Sequence, residues 1–188
     1  MALRNILSEH DELLRKISKP VEKITPTILT LLDDMAETLD AADGVGLAAP
    51  QVGILRRIAL VRVPDDDILY ELINPRILEA SGEQEKMEGC LSIDGIAGVV
   101  KRPAYLKVWA QNRSLEAFEL EAEGLLAIAI EHEIDHLDGI LYTDKAYNIM
   151  RTSSQEYKDY VEEEERREDA EKLEKRRAWR ASRRKRVG

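Results

Sequence analysis

The sequence predicts an α+β fold: short antiparallel strands packed around a central helix that carries an HExxH motif, with a charged helical extension at the C-terminus. Three observations predict it. Ile28, Leu31, Leu32, Met35 and Leu39 recur at helical spacing and form one apolar face. The segments AYLKVWAQN (104–112) and LEAFELEAE (115–123) alternate about a short polar turn, which reads as a hairpin. Helices and short strands are mixed without regular βαβ alternation.

Taken in order, Thr25-Pro26 reads as an N-cap followed by proline at the first helical position, and the helix it opens ends near Asp43-Gly44. LRRIALVRV (55–63) reads as a strand. YELINPRIL (70–78) is extended but contains Pro75, which predicts an edge or a broken strand because proline donates nothing to a ladder. GLLAIAIEHEIDHLD (124–138) reads as a helix closed by Gly139. Ser153-x-x-Glu156 resembles a capping box opening a charged helix that runs to about residue 185. The expected organisation is a catalytic domain over 1–150 and a helical extension over 151–188.

Composition narrows the setting. No apolar run approaches a membrane span, so no membrane partner is expected, and the N-terminal stretch resembles neither a secretory signal nor a transit peptide. The single cysteine, Cys90, excludes an intrachain disulfide and fits a reducing, cytoplasmic setting where the thiol is free to act as a ligand. The net charge of −9 hides an asymmetry: eight of the 28 basic residues lie from Lys175 onward without an acidic one, leaving residues 1–174 at −17. The body is therefore expected to repel polyanions and the tail to attract them.

Two of the three histidines, His132 and His136, stand four apart in EHEIDHLDG (131–139) with Glu133 between them. On a helix that spacing aims both imidazoles at one point, and zinc-like ions accept imidazole nitrogen there. Glu133 is placed to act as a general base on a water at the metal. On the same face upstream lie Leu125, Ile128 and Ala129, which read either as core or as a slot for an unbranched apolar substrate side chain. A catalytic site needs a third protein ligand. Downstream, Glu156 has the distance that an endopeptidase would use but no ligand motif around it. Upstream, Cys90 in EGCLS (88–92) offers a thiolate from a tight backbone segment, and is preferred. GVGLAAPQVG (44–53) marks a chain passing close to something, or simply a tight loop.

GVGLAAPQ (44–51), EGCLS (88–92) and HEIDHLDG (132–139), in this order, resemble peptide deformylases, the bacterial enzymes that remove the formyl group from nascent proteins. LRKISKPVE (14–22), LINPRIL (72–78) and FELEAEGLLAIAIEHE (118–133) extend the resemblance over roughly residues 5–148. The chain departs from the common pattern at Glu131, where many members have glutamine, at Asp94, where many have proline, and at Ala97, where some have arginine.

The resemblance implies that Cys90, His132 and His136 bind one divalent metal ion, Fe2+ in cells with Zn2+, Ni2+ or Co2+ as substitutes, and that no organic cofactor is needed. It implies that Gln51 and the backbone N–H of Leu91 meet the developing oxyanion and that Glu133 moves the proton. It further implies that an N-formylmethionyl nascent peptide lies extended along Val45-Gly46 and Gly89, with its methionine against Leu125, Ile128 and Ala129. Glu88 and Arg102 are expected to form a buried pair that steadies the site. The basic tail around Trp179 suits a ribosome anchor. Two rival readings are a zinc endopeptidase and a catalytically silent deformylase-like protein that sits on ribosomes.

Overall fold

The computed structural model describes residues 2–64 and 68–184 of the 188. The chain divides into two compact units, Met1–Ile149 and Met150–Gly188. The first is α+β with two antiparallel sheets. Helix α1 (Pro26–Ala41) begins where Thr25 Oγ1 accepts the Ile28 N–H at 3.3 Å, with proline in the first turn.

Strands β1 (Gly46–Ala48), β2 (Ile58–Val61), β3 (Tyr70–Ser81), β6 (Tyr105–Gln111) and β7 (Ala117–Glu123) form a five-stranded sheet in the order β1-β2-β3-β6-β7. Strands β4 (Gln84–Cys90), β5 (Ile93–Arg102) and β8 (Tyr147–Arg151) form a second sheet in the order β4-β5-β8. Helix α2 (Gly124–Leu137) follows directly on β7.

The residues of β2 explain how the larger sheet is covered. All four, Ile58 to Val61, are buried, and successive side chains point to opposite faces. Ile58 and Leu60 pack with Leu31, Leu32, Met35 and Leu39 of α1. Ala59 and Val61 pack with Ala127, Ile130, Ile134 and Leu137 of α2. One strand thus joins two apolar clusters, and each buried Leu, Ile or Met contributes about 1.5–3 kcal/mol.

Several expectations change in detail. The strand predicted over 55–63 is confined to Ile58–Val61, because Leu55 and Arg57 bond to Lys19 instead. The segment with Pro75 is no edge: β3 lies between β2 and β6. The proline is accommodated by a register shift between Ile73 and Arg76, where Asn74 adopts φ +54°. Asn74 uses its side chain as a substitute strand, accepting from Val21 N at 2.8 Å and donating to Val21 O at 2.9 Å. The 104–123 hairpin forms as expected.

The second unit contains α3 (Gln155–Arg184). Its cap is Ser154, whose Oγ accepts the Tyr157 N–H at 3.1 Å, one residue later than expected. The basic residues Lys185 and Arg186 lie outside the described residues.

Candidate metal centre

Helix α2 carries polar groups that its apolar contacts leave facing inward. His132, Glu133, Asp135 and His136 are all buried. The helix ends at Gly139, which adopts φ +74°, and a Cβ there would lie 2.6 Å from the Arg15 carbonyl oxygen, so only glycine closes the helix at this point.

Cys90 comes from the last position of β4, where the β4–β5 register shifts between Glu88 and Cys90. Its Sγ lies 3.2 Å from His136 Nε2. Donor atoms of Cys90, His132 and His136 all fall within 4.8 Å of one another, a group able to hold a metal ion. The donor chemistry fits one: a thiolate and two imidazoles are a set that soft or borderline divalent ions accept. His132 Nδ1 faces Glu88 Oε2 at 2.8 Å. With its Nδ1 proton held by that carboxylate, Nε2 keeps its lone pair for a ligand.

Glu88 is in turn gripped by Arg102, Nε to Oε1 at 2.8 Å and Nη2 to Oε2 at 2.9 Å. The third Arg102 nitrogen, Nη1, donates to Asp135 Oδ2 at 2.6 Å, and Lys145 Nζ lies 2.8 Å from both Asp135 oxygens. Arg102 and Glu88 are almost wholly buried, with side chains 0% and 5% exposed. Burial opposes ionisation of Glu88, yet the bonds from Arg102 and His132 outweigh it and hold its carboxyl below the usual range.

Burial acts differently on the titratable residues of α2. It pushes the Glu133 carboxyl up to about 7, with Glu88 and Asp135 adding to the effect. It pushes His136 down, with His132 adding, so that His136 is neutral and ready as a ligand. His132 moves up in spite of burial, because Cys90 and Glu88 favour its charged form.

The 44–51 segment closes another side. Gln51 is buried, its Oε1 fixed by Ala48 N at 2.8 Å. That orients its Nε2, which donates to Ser92 Oγ at 3.2 Å and approaches Cys90 Sγ at 3.5 Å. Gly46 passes directly against Glu133: a Cβ would overlap Oε1 and come within 2.8 Å of Cδ.

Comparison with known proteins decides the family. A family model for polypeptide deformylase matches residues 3–152. The chain belongs to the polypeptide deformylase family. A peptide deformylase of Acetivibrio thermocellus is 58% identical over 150 residues, covering 80% of this chain and 87% of its own length. The crystal structure of a deformylase from Legionella pneumophila superposes with a TM-score of 0.75 at 42% identity, covering 78% of this chain and 88% of that one. A class I type b deformylase from Acinetobacter baumannii, solved with Met-Ala-Ser bound, has a TM-score of 0.73 at 31% identity and covers 77% of this chain and 98% of its own. Deformylases are metallo-hydrolases that remove the N-formyl group from nascent peptides.

The deformylase motifs thus meet in one place, but not every residue singled out in the sequence lies at the donors. Leu91 turns its side chain into the α1 cluster. Val45 packs against the α2 cluster, and its carbonyl accepts the Arg62 N–H at 2.8 Å. A Cβ on Gly89 would meet nothing within 4 Å. Leu125 is 47% exposed at the start of α2, whereas Ile128 is buried and Ala129 joins the core against the sheet. Sequence reasoning missed Asp135, Lys145 and Ser92. Asp135 was visible as a second acid inside the histidine motif; Lys145 left no signal.

Proposed function

We propose that this chain deformylates nascent chains with Cys90, His132 and His136 as metal ligands and Glu133 as general base. The observation that carries the reading is the convergence of the three donors with the Gln51 amide beside Cys90 Sγ. We read α2 as the central helix of the catalytic fold and α3 as a charged extension outside it.

When bound, a divalent cation supplies Lewis acidity for water activation and carbonyl polarisation. Fe2+ is the proposed native ion, with Zn2+, Ni2+ or Co2+ as substitutes. Glu133 has its Oε2 buried with no partner among the described residues and its pKa pushed up to about 7, suiting it to take a proton from water and return it to the leaving amine. Gln51 Nε2, held by the Ala48–Oε1 bond, donates to the developing oxyanion together with Leu91 N–H. Because β1 is an edge of the five-stranded sheet, an extended peptide adds beside Val45-Gly46, with Gly89 leaving room on the other side. The relative solved with Met-Ala-Ser holds a peptide that begins with methionine, the residue exposed by deformylation. The methionine is proposed to lie against Leu125 and Ile128, with Ala129 backing them.

The setting proposed is cytoplasmic, with the basic end of α3 anchoring the enzyme at the ribosome. Among the described residues no helix is long and apolar enough to cross a membrane.

The test is formate release from formyl-Met-Ala by protein purified anaerobically, with metal analysis of the same sample. Stoichiometric metal and steady formate release are expected. Metal-loaded protein that releases no formate would favour the silent binding protein, and cleavage of internal peptide bonds would favour the endopeptidase.

A further inference from the structure

A cavity of about 530 Å3 lies at the N-terminal end of α1; one of its lining residues, Lys19, follows Ser18, whose N–H bonds to the Leu137 carbonyl at 2.8 Å. None of the cavity's lining residues belongs to the donor group.

Its floor is apolar, formed by Val21, Ile28, Leu31 and Ile54. Its rim carries four cations, Arg4, Lys19, Lys23 and Arg56, against one acid, Glu22. This is unexpected in a body whose charge is −17 over residues 1–174. Arg4 is fixed by Asp34, which accepts from Nε at 3.1 Å and Nη2 at 2.9 Å. Lys19, Lys23 and Arg56 are exposed, and among the described residues none pairs with a carboxylate.

The backbone sets two of these residues side by side, and Arg56 Nη1 donates to the Pro20 carbonyl at 3.4 Å. Lys19 and Arg56 are partners in an isolated parallel bridge, with Lys19 N bonded to Leu55 O and Arg57 N to Lys19 O. Bridge partners project to the same side, and like charges so placed destabilise. An anion between them converts that repulsion to attraction. The start of α1 at the same cavity adds the positive pole of the helix.

We propose that this cavity binds a phosphate-bearing nucleotide, with the phosphate among Lys19, Lys23 and Arg56 and the base on the apolar floor. The volume falls within the range of small-ligand sites, about 300–1,000 Å3. The exposed rim leaves room for flanking phosphates, so the unit can belong to an RNA chain. On this proposal the cavity is a local exception to the expected repulsion of polyanions by the body, independent of the basic tail.

The test measures fluorescence anisotropy of a labelled oligouridylate with the full chain, from roughly 50 to 200 mM salt. Lys19→Glu/Lys23→Glu/Arg56→Glu is expected to weaken binding about tenfold or more and to flatten the log–log salt slope by about 2. Its turnover of formyl-Met-Ala should match the parent, since none of the three residues belongs to the catalytic site. Lys19→Gln/Lys23→Gln/Arg56→Gln gives a smaller loss and serves if charge reversal prevents folding. Displacement of the RNA by uridine monophosphate assigns the cavity to free nucleotides; resistance to it assigns the cavity to RNA. Ultraviolet crosslinks on the unmodified protein should fall within 19–31 or 54–56. Equal affinity and equal salt slope in parent and variants, or crosslinks only beyond residue 150, would overturn the proposal.

Discussion

Helices α2 and α3 are built from many of the same charged residue types and use them in opposite ways. On α2, Glu133 and Asp135 are buried, and Arg102 and Lys145 reach in from other elements to meet Asp135. On α3, Arg166 pairs with Glu162 and Arg167 with Glu163 one turn away, all more than 60% exposed. Solvated pairs of this kind contribute about 0.3–0.5 kcal/mol each. A buried charge that loses its partner costs about 3–5 kcal/mol. The lesson is that burial, rather than residue type or pair count, decides what a charge does here: on α2 it shifts the titration of Glu133 and His136, on α3 the charges stay in solvated pairs one turn apart.

The comparison is tested most severely at Glu133. Glu133→Ala should lower turnover of formyl-Met-Ala by about 100- to 10,000-fold while metal content, measured on the same sample, stays at the parent level. Loss of metal with activity would make Glu133 a ligand or a support instead.

A smaller effect is expected at Arg102. Arg102→Met leaves Glu88 and Asp135 buried without their shared guanidinium. Denaturant unfolding should show a loss of about 3–5 kcal/mol, and metal affinity should fall about 10- to 100-fold because His132 loses its fixed orientation. A loss as small as that of an exposed pair would erase the contrast between the helices.

Between the extremes lies Arg4–Asp34, with side chains 31% and 6% exposed. The Ala2 N–H first, and Arg4 as well, hold the Asp34 carboxyl below its ordinary value in spite of burial. A depressed folded-state pKa gives stability that is present above the unfolded value, about 3.9, and is lost as pH falls through the folded value. Asp34→Asn should therefore lower Tm at pH 7 and lower it less at pH 3; an equal decrement at both would show that charge is not the cause.

The smallest effect belongs to α3. Glu163→Gln should change stability by about 0.5 kcal/mol or less. A chain ending after Arg151 should hydrolyse formyl-Met-Ala near the parent rate, because Cys90, His132, Glu133 and His136 all precede it. A truncated chain that fails to fold would show α3 to be structural.

What the sequence disclosed follows the same division between local and distant causes. Thr25-Pro26, the 104–123 hairpin and the His132–His136 spacing are local patterns, and each forms as read. The β4–β5–β8 sheet was not legible, since QEKMEGC (84–90) is mostly polar and IDGIAGVVKR (93–102) carries two glycines. Pro75 misled because the bulge that tolerates it depends on β6, far along the chain. Of the network behind His132, the Glu88–Arg102 pair was expected, but its extension through Asp135 to Lys145 was not, because no spacing rule joins these residues.

A metal on the donor group would also act as a clasp. Cys90 ends β4 in the smaller sheet, while His132 and His136 stand on the helix that packs against the larger one. An ion held by the three would tie the end of β4 to α2, and loading and folding would then be linked. At a free concentration one hundred times its Kd, such an ion adds about 2.7 kcal/mol to the folded state. The supply of metal would then bear on how much of this chain stays folded as well as on its activity.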